Sequence, residues 1–146
     1  KNLPASENLL KNLLKKQEFH KINPLVDLYN LISMDTKLAL GAHDLDKTEG
    51  NITLRLTQGN ENYIPLGSEE AKEVKAGIYS YIDDANDIIC FSEIRQVDKT
   101  KVTEESKDVF FIVQGNQATT DKYVEDVAQE LITVVTYYLG GTGEIL

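Results

Sequence analysis

The hydrophobic period of this chain changes twice, and that change restricts its fold more than any other feature. Near both ends apolar residues recur at helical spacing, whereas between them they alternate or run together as they do in strands. Leu9, Leu10, Leu13 and Leu14 form a stripe within Ser6 to Gln17, with lysines opposite, and predict a first helix. A second is expected to open at Asn23-Pro24, because asparagine caps well and proline has no amide proton to lose at the first helical position. Its apolar face is Leu25, Leu28, Tyr29 and Ile32, and it should end between Thr36 and Gly41. Residues Asn51 to Thr57 then alternate as a half-buried strand does. A turn at 58–61 leads to a second strand over Asn62 to Leu66, which Pro65 makes an edge or an ending. Gly77 to Asp83 and Ile88 to Ile94 read as a further pair about a turn at 84–87. The polar stretch Val97 to Lys107 reads as a loop, and the apolar run Val109 to Val113 as a central strand buried on both faces. The last helix starts at Thr120 or Asp121 and runs to about Leu139. Val124, Val127, Ala128, Leu131, Val134, Val135 and Tyr138 mark one face, and Gly140-Gly141 closes it. Helices flanking at least five strands point to an α+β fold rather than regular βαβ alternation.

With 146 residues the chain has the size of one domain and can bury roughly two-thirds of its unfolded surface. Cys90 is the only cysteine, so no intrachain disulfide forms, which fits a reducing, cytoplasmic setting. Apolar runs such as Ile88-Ile89-Cys90-Phe91 are too short for a transmembrane helix. The first residue is Lys1 rather than methionine, so the chain is expected to be processed or to be part of a longer protein. A net charge of −9 repels a phosphate backbone on average and argues against DNA and against broad nucleic-acid binding. The densest basic cluster is Lys11, Lys15, Lys16 and Lys21, whose plainest reading is a solvated helix face.

Familiar catalytic motifs are missing. No phosphate-binding glycine loop, H-E-x-x-H or G-x-S-x-G occurs, and two histidines with one cysteine lack metal-ligand spacing, so no metal or other cofactor is expected. Cys90 lies in an apolar strand and reads as an inert core thiol. The segment Asp44-Leu45-Asp46-Lys47-Thr48 spells the D-x-D-x-T of aspartyl-phosphate phosphatases, but Leu40-Gly41-Ala42-His43 before it makes a poor strand and no βαβ unit follows. An EF-hand fails because Gly50 comes one position late and no glutamate ends the loop. Asp44 and Asp46 therefore read as turn residues that accept backbone amides.

Two stretches carry a resemblance. The first holds Val26-Asp27-Leu28-Tyr29-Asn30, Gly41-Ala42-His43-Asp44-Leu45-Asp46-Lys47 and Ile52-Thr53-Leu54-Arg55. The second runs from Ile82-Asp83-Asp84 through Val102-Thr103-Glu104-Glu105 to Asp108-Val109. In order and spacing they resemble the editing domain of the phenylalanyl-tRNA synthetase beta chain, over about Asn23 to Val113, and most of all stand-alone versions of that module. The resemblance implies a single module over residues 1–146 with a three-layer α+β fold containing a β-sandwich of unusual topology. In the synthetase this module hydrolyses tyrosine wrongly attached to the phenylalanine tRNA. This chain departs from the pattern inside the pocket. Gly41 stands where the family has its histidine, and His43 where it has phenylalanine. Phe91 to Val97 replaces a glycine-rich segment, and the glutamate that reads the tyrosine hydroxyl has no clear counterpart, so tyrosine specificity is not carried over.

The pocket implied by the resemblance could be furnished by Asn30, His43, Asp44, Glu93, Arg95 and Thr103, with the forked donor of Arg95 suited to a carboxylate or phosphate. For Glu93 and Arg95 a surface ion pair is the competing reading. Two functions are expected to compete. One is trans-editing, the cofactor-free hydrolysis of misacylated tRNA. The other is a non-catalytic module that binds a tRNA 3′ end, an amino acid or a related small molecule.

Overall fold

A computed structural model describes residues 23–92 and 95–146. Two compact units are formed, one from the segments up to Gly41 and from Ile112 to Leu146, the other from Ala42 to Phe111. The helix expected over Ser6 to Gln17 and the lysine cluster lie outside the described residues.

Among the described residues the first unit holds two helices. Helix α1 spans Pro24–Thr36, and the Asn23 side chain accepts from the amide of Val26 at 2.9 Å, the cap expected at this dipeptide. Lys37 ends it in the left-handed region, and Leu38, fully buried, turns the chain inward. Helix α2 spans Asp121–Leu139 and is capped by the Thr120 hydroxyl, with Gly140 at φ 79° closing it. The two helices pack together through apolar faces that bury Val26, Tyr29 and Ile32 on α1 and Val127 and Leu131 on α2. The Tyr123 hydroxyl donates to the Thr36 carbonyl at 3.1 Å. The predicted α2 face extends one residue too far, since Tyr138 is exposed, beyond the last buried turn.

Strands β1 (Ala39–Asp44) and β6 (Val109–Gln114) form a two-stranded sheet, and the chain passes from one unit to the other within each of them. Both differ from expectation. Leu40 to His43, with weak strand propensity, is extended because β6 supplies its hydrogen-bonding partner, and Leu40, Ala42, His43 and Asp44 are all buried there. Strand β6 is not a central strand buried on both faces. In a two-stranded sheet all six of its residues remain half-buried.

The second unit is built on a four-stranded antiparallel sheet in chain order, β2 (Ile52–Leu56), β3 (Tyr79–Asp83), β4 (Ile88–Phe91) and β5 (Arg95–Gln96). Leu54 faces Tyr81 across β2 and β3, and the register shifts between Tyr81 and Ile82. The core of this unit gathers Tyr63, Val74, Ile82, Ile88 and Val97, with the Tyr63 and Phe91 rings edge to face at 4.8 Å. Cys90 is buried beside it, and burial pushes its thiol up to about 12, the inert state expected of it. The strand expected over Asn62 to Leu66 does not form. Only isolated bridges occur, Asn62 with Asp87 and Pro65 with Val97, because a proline in this short run removes a ladder donor.

Gly50 sits at φ 64° between the Asp44 turn and β2, and a Cβ there would run into the Asp84 carboxylate, which accepts from the Asn51 amide at 2.8 Å. Gly50→Ala is expected to cost about 2 kcal/mol, from the positive φ and the displaced carboxylate together, read as a lower urea midpoint at unchanged slope.

Candidate functional site

Three of the candidate residues, His43, Asp44 and Thr103, lie at or beside the C-terminal end of β1. Along a strand successive side chains point to opposite faces. His43 and the neighbouring Asp44 therefore face opposite ways, and each finds one partner in the polar loop that precedes β6, Thr100 for His43 and Ser106 for Asp44.

Asp44 is buried, with each of its oxygens engaged. One accepts from the Asp46 amide at 3.1 Å and so caps the short 3-10 turn Leu45–Lys47. The other accepts from the Ser106 hydroxyl at 2.6 Å and lies 3.4 Å from Lys47 Nζ. The Ser106 hydrogen bond, with help from Lys47 and the Asp46 amide, holds the carboxyl below its ordinary range against the effect of burial. A carboxylate so fully engaged is a weak base, and no phosphatase-type nucleophile is formed by the D-x-D-x-T segment. Asp44 acts as the turn anchor that its sequence context suggested.

Thr103 belongs to the same cluster. Its amide donates to Ser106 Oγ at 3.0 Å, and its own hydroxyl faces the Glu105 amide at 3.4 Å. Residues 100–108 are thereby laced to residues 43–47. The Asp44 amide donates to the Thr100 carbonyl, the Leu45 amide to the Asp108 carbonyl, and Lys47 Nζ to the Lys101 carbonyl at 3.2 Å.

His43 has no exposed surface. Its Nδ1 lies 2.9 Å from Thr100 Oγ1, and its ring stacks on Phe110 with centroids 5.0 Å apart and planes 25° off parallel. Burial lowers its pKa to about 4, so the imidazole is neutral at physiological pH. Its Nε2 is buried and meets no hydrogen-bond partner among the described residues.

Arg95 lies on β5 with an exposed side chain, next to Gln96, whose side-chain amide donates to the Ala42 carbonyl at 3.0 Å. That bond brings β5 to the strand that carries His43. Asn30 is buried on α1, in the helical unit. Glu93 lies outside the described residues, and with it the ion pair weighed for Arg95.

One loop thus holds His43 on one face of β1 and Asp44, with Thr103 behind Ser106, on the other, and Arg95 lies on β5, which Gln96 links to β1. Thr100, Ser106 and Gln96, which hold this arrangement, were not singled out from the sequence. A polar loop without hydrophobic period gives no indication of which hydroxyls turn inward. Among the described residues no group of acidic, histidine or cysteine side chains could hold a metal ion. No helix among the described residues is long and apolar enough to cross a membrane.

Two helices, antiparallel strands and a buried polar cluster at a strand end define an α+β module of the class expected from the resemblance. Residues 1–129 match the family model of the B3/4 domain, and the chain belongs to that family. It is 25% identical over 148 residues to the phenylalanine–tRNA ligase beta subunit of Archaeoglobus fulgidus, covering 88% of this chain and 26% of that protein. It is 30% identical over 112 residues to the same subunit of Fusobacterium nucleatum, covering 75% of this chain and 14% of that protein. The chain therefore spans about a quarter or less of these relatives. Its fold is similar to that of an N-terminal fragment of the phenylalanyl-tRNA synthetase beta-subunit from Pyrococcus horikoshii, with a TM-score of 0.65 at 20% identity, covering 77% of this chain and 39% of that one.

Proposed function

We propose that this chain acts on the aminoacylated 3′ end of tRNA and hydrolyses the ester of a misacylated species. The observation that carries this reading is the match of residues 1–129 to the B3/4 domain, a module its relatives hold within a tRNA ligase subunit. The site chemistry is compatible with it. Ester hydrolysis by a positioned water needs a polar, shaped surface and no cofactor. Water adds to the carbonyl carbon, the bond to the ribose oxygen breaks, and that oxygen takes a proton from the water. Arg95, exposed on β5, offers a forked donor to the terminal phosphate or to an amino-acid side chain. The glycine-rich segment of the synthetase module is replaced here by Phe91 to Val97, so tyrosine specificity is not part of the reading. With a net charge of −9 the chain would bind the tRNA body weakly alone, and a protein partner that presents the tRNA is part of the reading.

The test is a deacylation assay across tRNAs charged correctly and incorrectly. Hydrolysis of at least one mischarged species is expected, with Arg95→Ala lowering the rate about tenfold or more, equivalent to about 1.4 kcal/mol. Silence across the whole panel would overturn the hydrolytic reading.

A second reading, binding without catalysis, is favoured by one specific observation. Both Asp44 oxygens are engaged, and His43 is buried with its pKa lowered to about 4, so neither is poised as a general base. A binding module is expected to show a raised melting temperature with an amino acid, a nucleotide or a tRNA end.

A further inference from the structure

His43 holds an unmet hydrogen-bonding atom whose chemical character can be worked out from its neighbours. The ring is immobilised on two sides, by Thr100 Oγ1 2.9 Å from Nδ1 and by Phe110 stacked on one face. Nε2 remains, buried and without a partner among the described residues. A buried polar atom of this kind normally has a partner, and each exception calls for one.

Thr100 decides which kind of partner is missing. Thr100 is itself fully buried, and His43 Nδ1 is the partner of its hydroxyl. A hydroxyl has one proton to give, and a neutral imidazole has one N–H and one lone pair. If Nδ1–H donated to Thr100, the hydroxyl proton and the Nε2 lone pair would both be left unmatched. If the Thr100 hydroxyl donates to Nδ1, only the proton on Nε2 is left. The second arrangement strands one group instead of two and is the more stable, so the imidazole proton is assigned to Nε2.

Resting on the hydrolytic reading above, we propose that Nε2–H of His43 donates to the carbonyl oxygen of the bound aminoacyl ester, and that Thr100 is the positioning residue that keeps the proton on Nε2. The surroundings select an uncharged acceptor. Lys47 is paired with Asp44, Lys101 with Asp98 and Lys99 with Asp83 and Asp87, and the Arg95 side chain is exposed on β5. A carboxylate or phosphate drawn to Nε2 would be buried without a counter-charge, whereas an ester carbonyl would not. Because the ring has no exposed surface, the ester reaches Nε2 only as the side chains covering that edge of the ring move aside, with the Thr100 hydrogen bond to Nδ1 kept. As water adds, the carbonyl oxygen gains negative charge and the N–H bond to it strengthens. The charge returns when the bond to the ribose oxygen breaks.

The test is the nitrogen spectrum of the histidine side chain in the full chain carrying His20→Gln, which leaves His43 as the one histidine. A proton on Nε2 and a bare Nδ1 are expected. Thr100→Ser, which keeps the donor, should preserve this form, and Thr100→Val should lose it while the backbone amide spectrum stays dispersed. The probes are amino-acid amides, whose carbonyl accepts a hydrogen bond but resists hydrolysis, with free amino acids and inorganic phosphate as comparison arms. An amide is expected to shift the Nε2–H signal and to bind at least tenfold more weakly to Thr100→Val. A proton on Nδ1 in the parent chain would overturn the proposal whatever the deacylation assay shows. So would a signal moved by phosphate or carboxylate but not by amides. A signal that no probe moves would also overturn it and would mark Nε2–H as bound to an interior water. Deacylation that fails while the amide response holds would overturn the hydrolytic reading and leave His43 as a carbonyl-binding group.

Discussion

Glu61→Ala is expected to destabilise the sheet unit by about 2 kcal/mol, because two turn amides lose their acceptor and the partly exposed Arg55 loses its anion. The Glu61 side chain is fully buried, and one oxygen is 2.6 Å from Arg55 Nη1. The same carboxylate accepts from the amides of Gln58 at 2.8 Å and Gly59 at 3.0 Å, so it closes the turn that follows β2. Arg55 also donates to Asn86 Oδ1 at 2.9 Å, which ties that turn to the one between β3 and β4. Alanine would leave the guanidinium without its anion and two turn amides without an acceptor. Burial alone would raise the Glu61 pKa, but the Gln58 amide, Arg55 and the Gly59 amide overcome it and bring the pKa down to about 2. The carboxylate therefore favours the folded state above its unfolded pKa of 4.5, and this is lost as pH falls toward 2. Glu61→Gln keeps an acceptor for the amides but not the charge and should recover about half of the loss. Thermal unfolding is the measurement, with a shift on the order of 10 °C expected for alanine. A shift within error would mean that the Arg55 pair contributes nothing net.

Acidification between pH 7.5 and 5 is expected to cost about 2 kcal/mol of folding stability through His43 alone, from the difference between its folded and unfolded pKa values. Its pKa is about 4 when folded, against 6.5 in an unconstrained chain. Between those values the unfolded chain takes up a proton that the folded chain refuses, so lowering the pH favours unfolding. The loss sets in near pH 6.5 and levels off below pH 4. Glu61 and Asp83 contribute mainly below this window, because both are held below ordinary carboxylate values. Urea unfolding at the two pH values, in the parent chain and in His43→Phe, isolates the effect. The variant should lose stability at pH 7.5, since Thr100 is left without its acceptor, but its stability should fall less on going to pH 5. Equal falls in both chains would show that His43 titrates normally in the folded state.

Much of this protein was determined by local sequence. Asn23-Pro24 and Thr120 start their helices because a capping side chain and the residue it caps are only a few positions apart, and that interaction needs no tertiary partner. The alternation of Ile52 to Leu56 marked β2 as a strand, but the drier face it predicted does not form, since Leu54 and Leu56 are exposed and only Ile52 and Arg55 are half-buried. Asp44 was legible as a turn anchor because its closest amide partner is two residues away. What only the tertiary structure decided involves partners distant in sequence. Strand β1 has poor intrinsic propensity and exists because β6, some seventy residues later, pairs with it. Asn62 to Leu66 had a strand pattern but lacked a continuous partner and stayed irregular. The pairing of His43 with Thr100 and of Asp44 with Ser106 spans a polar loop whose composition is that of any surface segment. Nothing in that loop's own sequence distinguishes an inward hydroxyl from a solvated one, because the distinction lies in which buried group waits across from it.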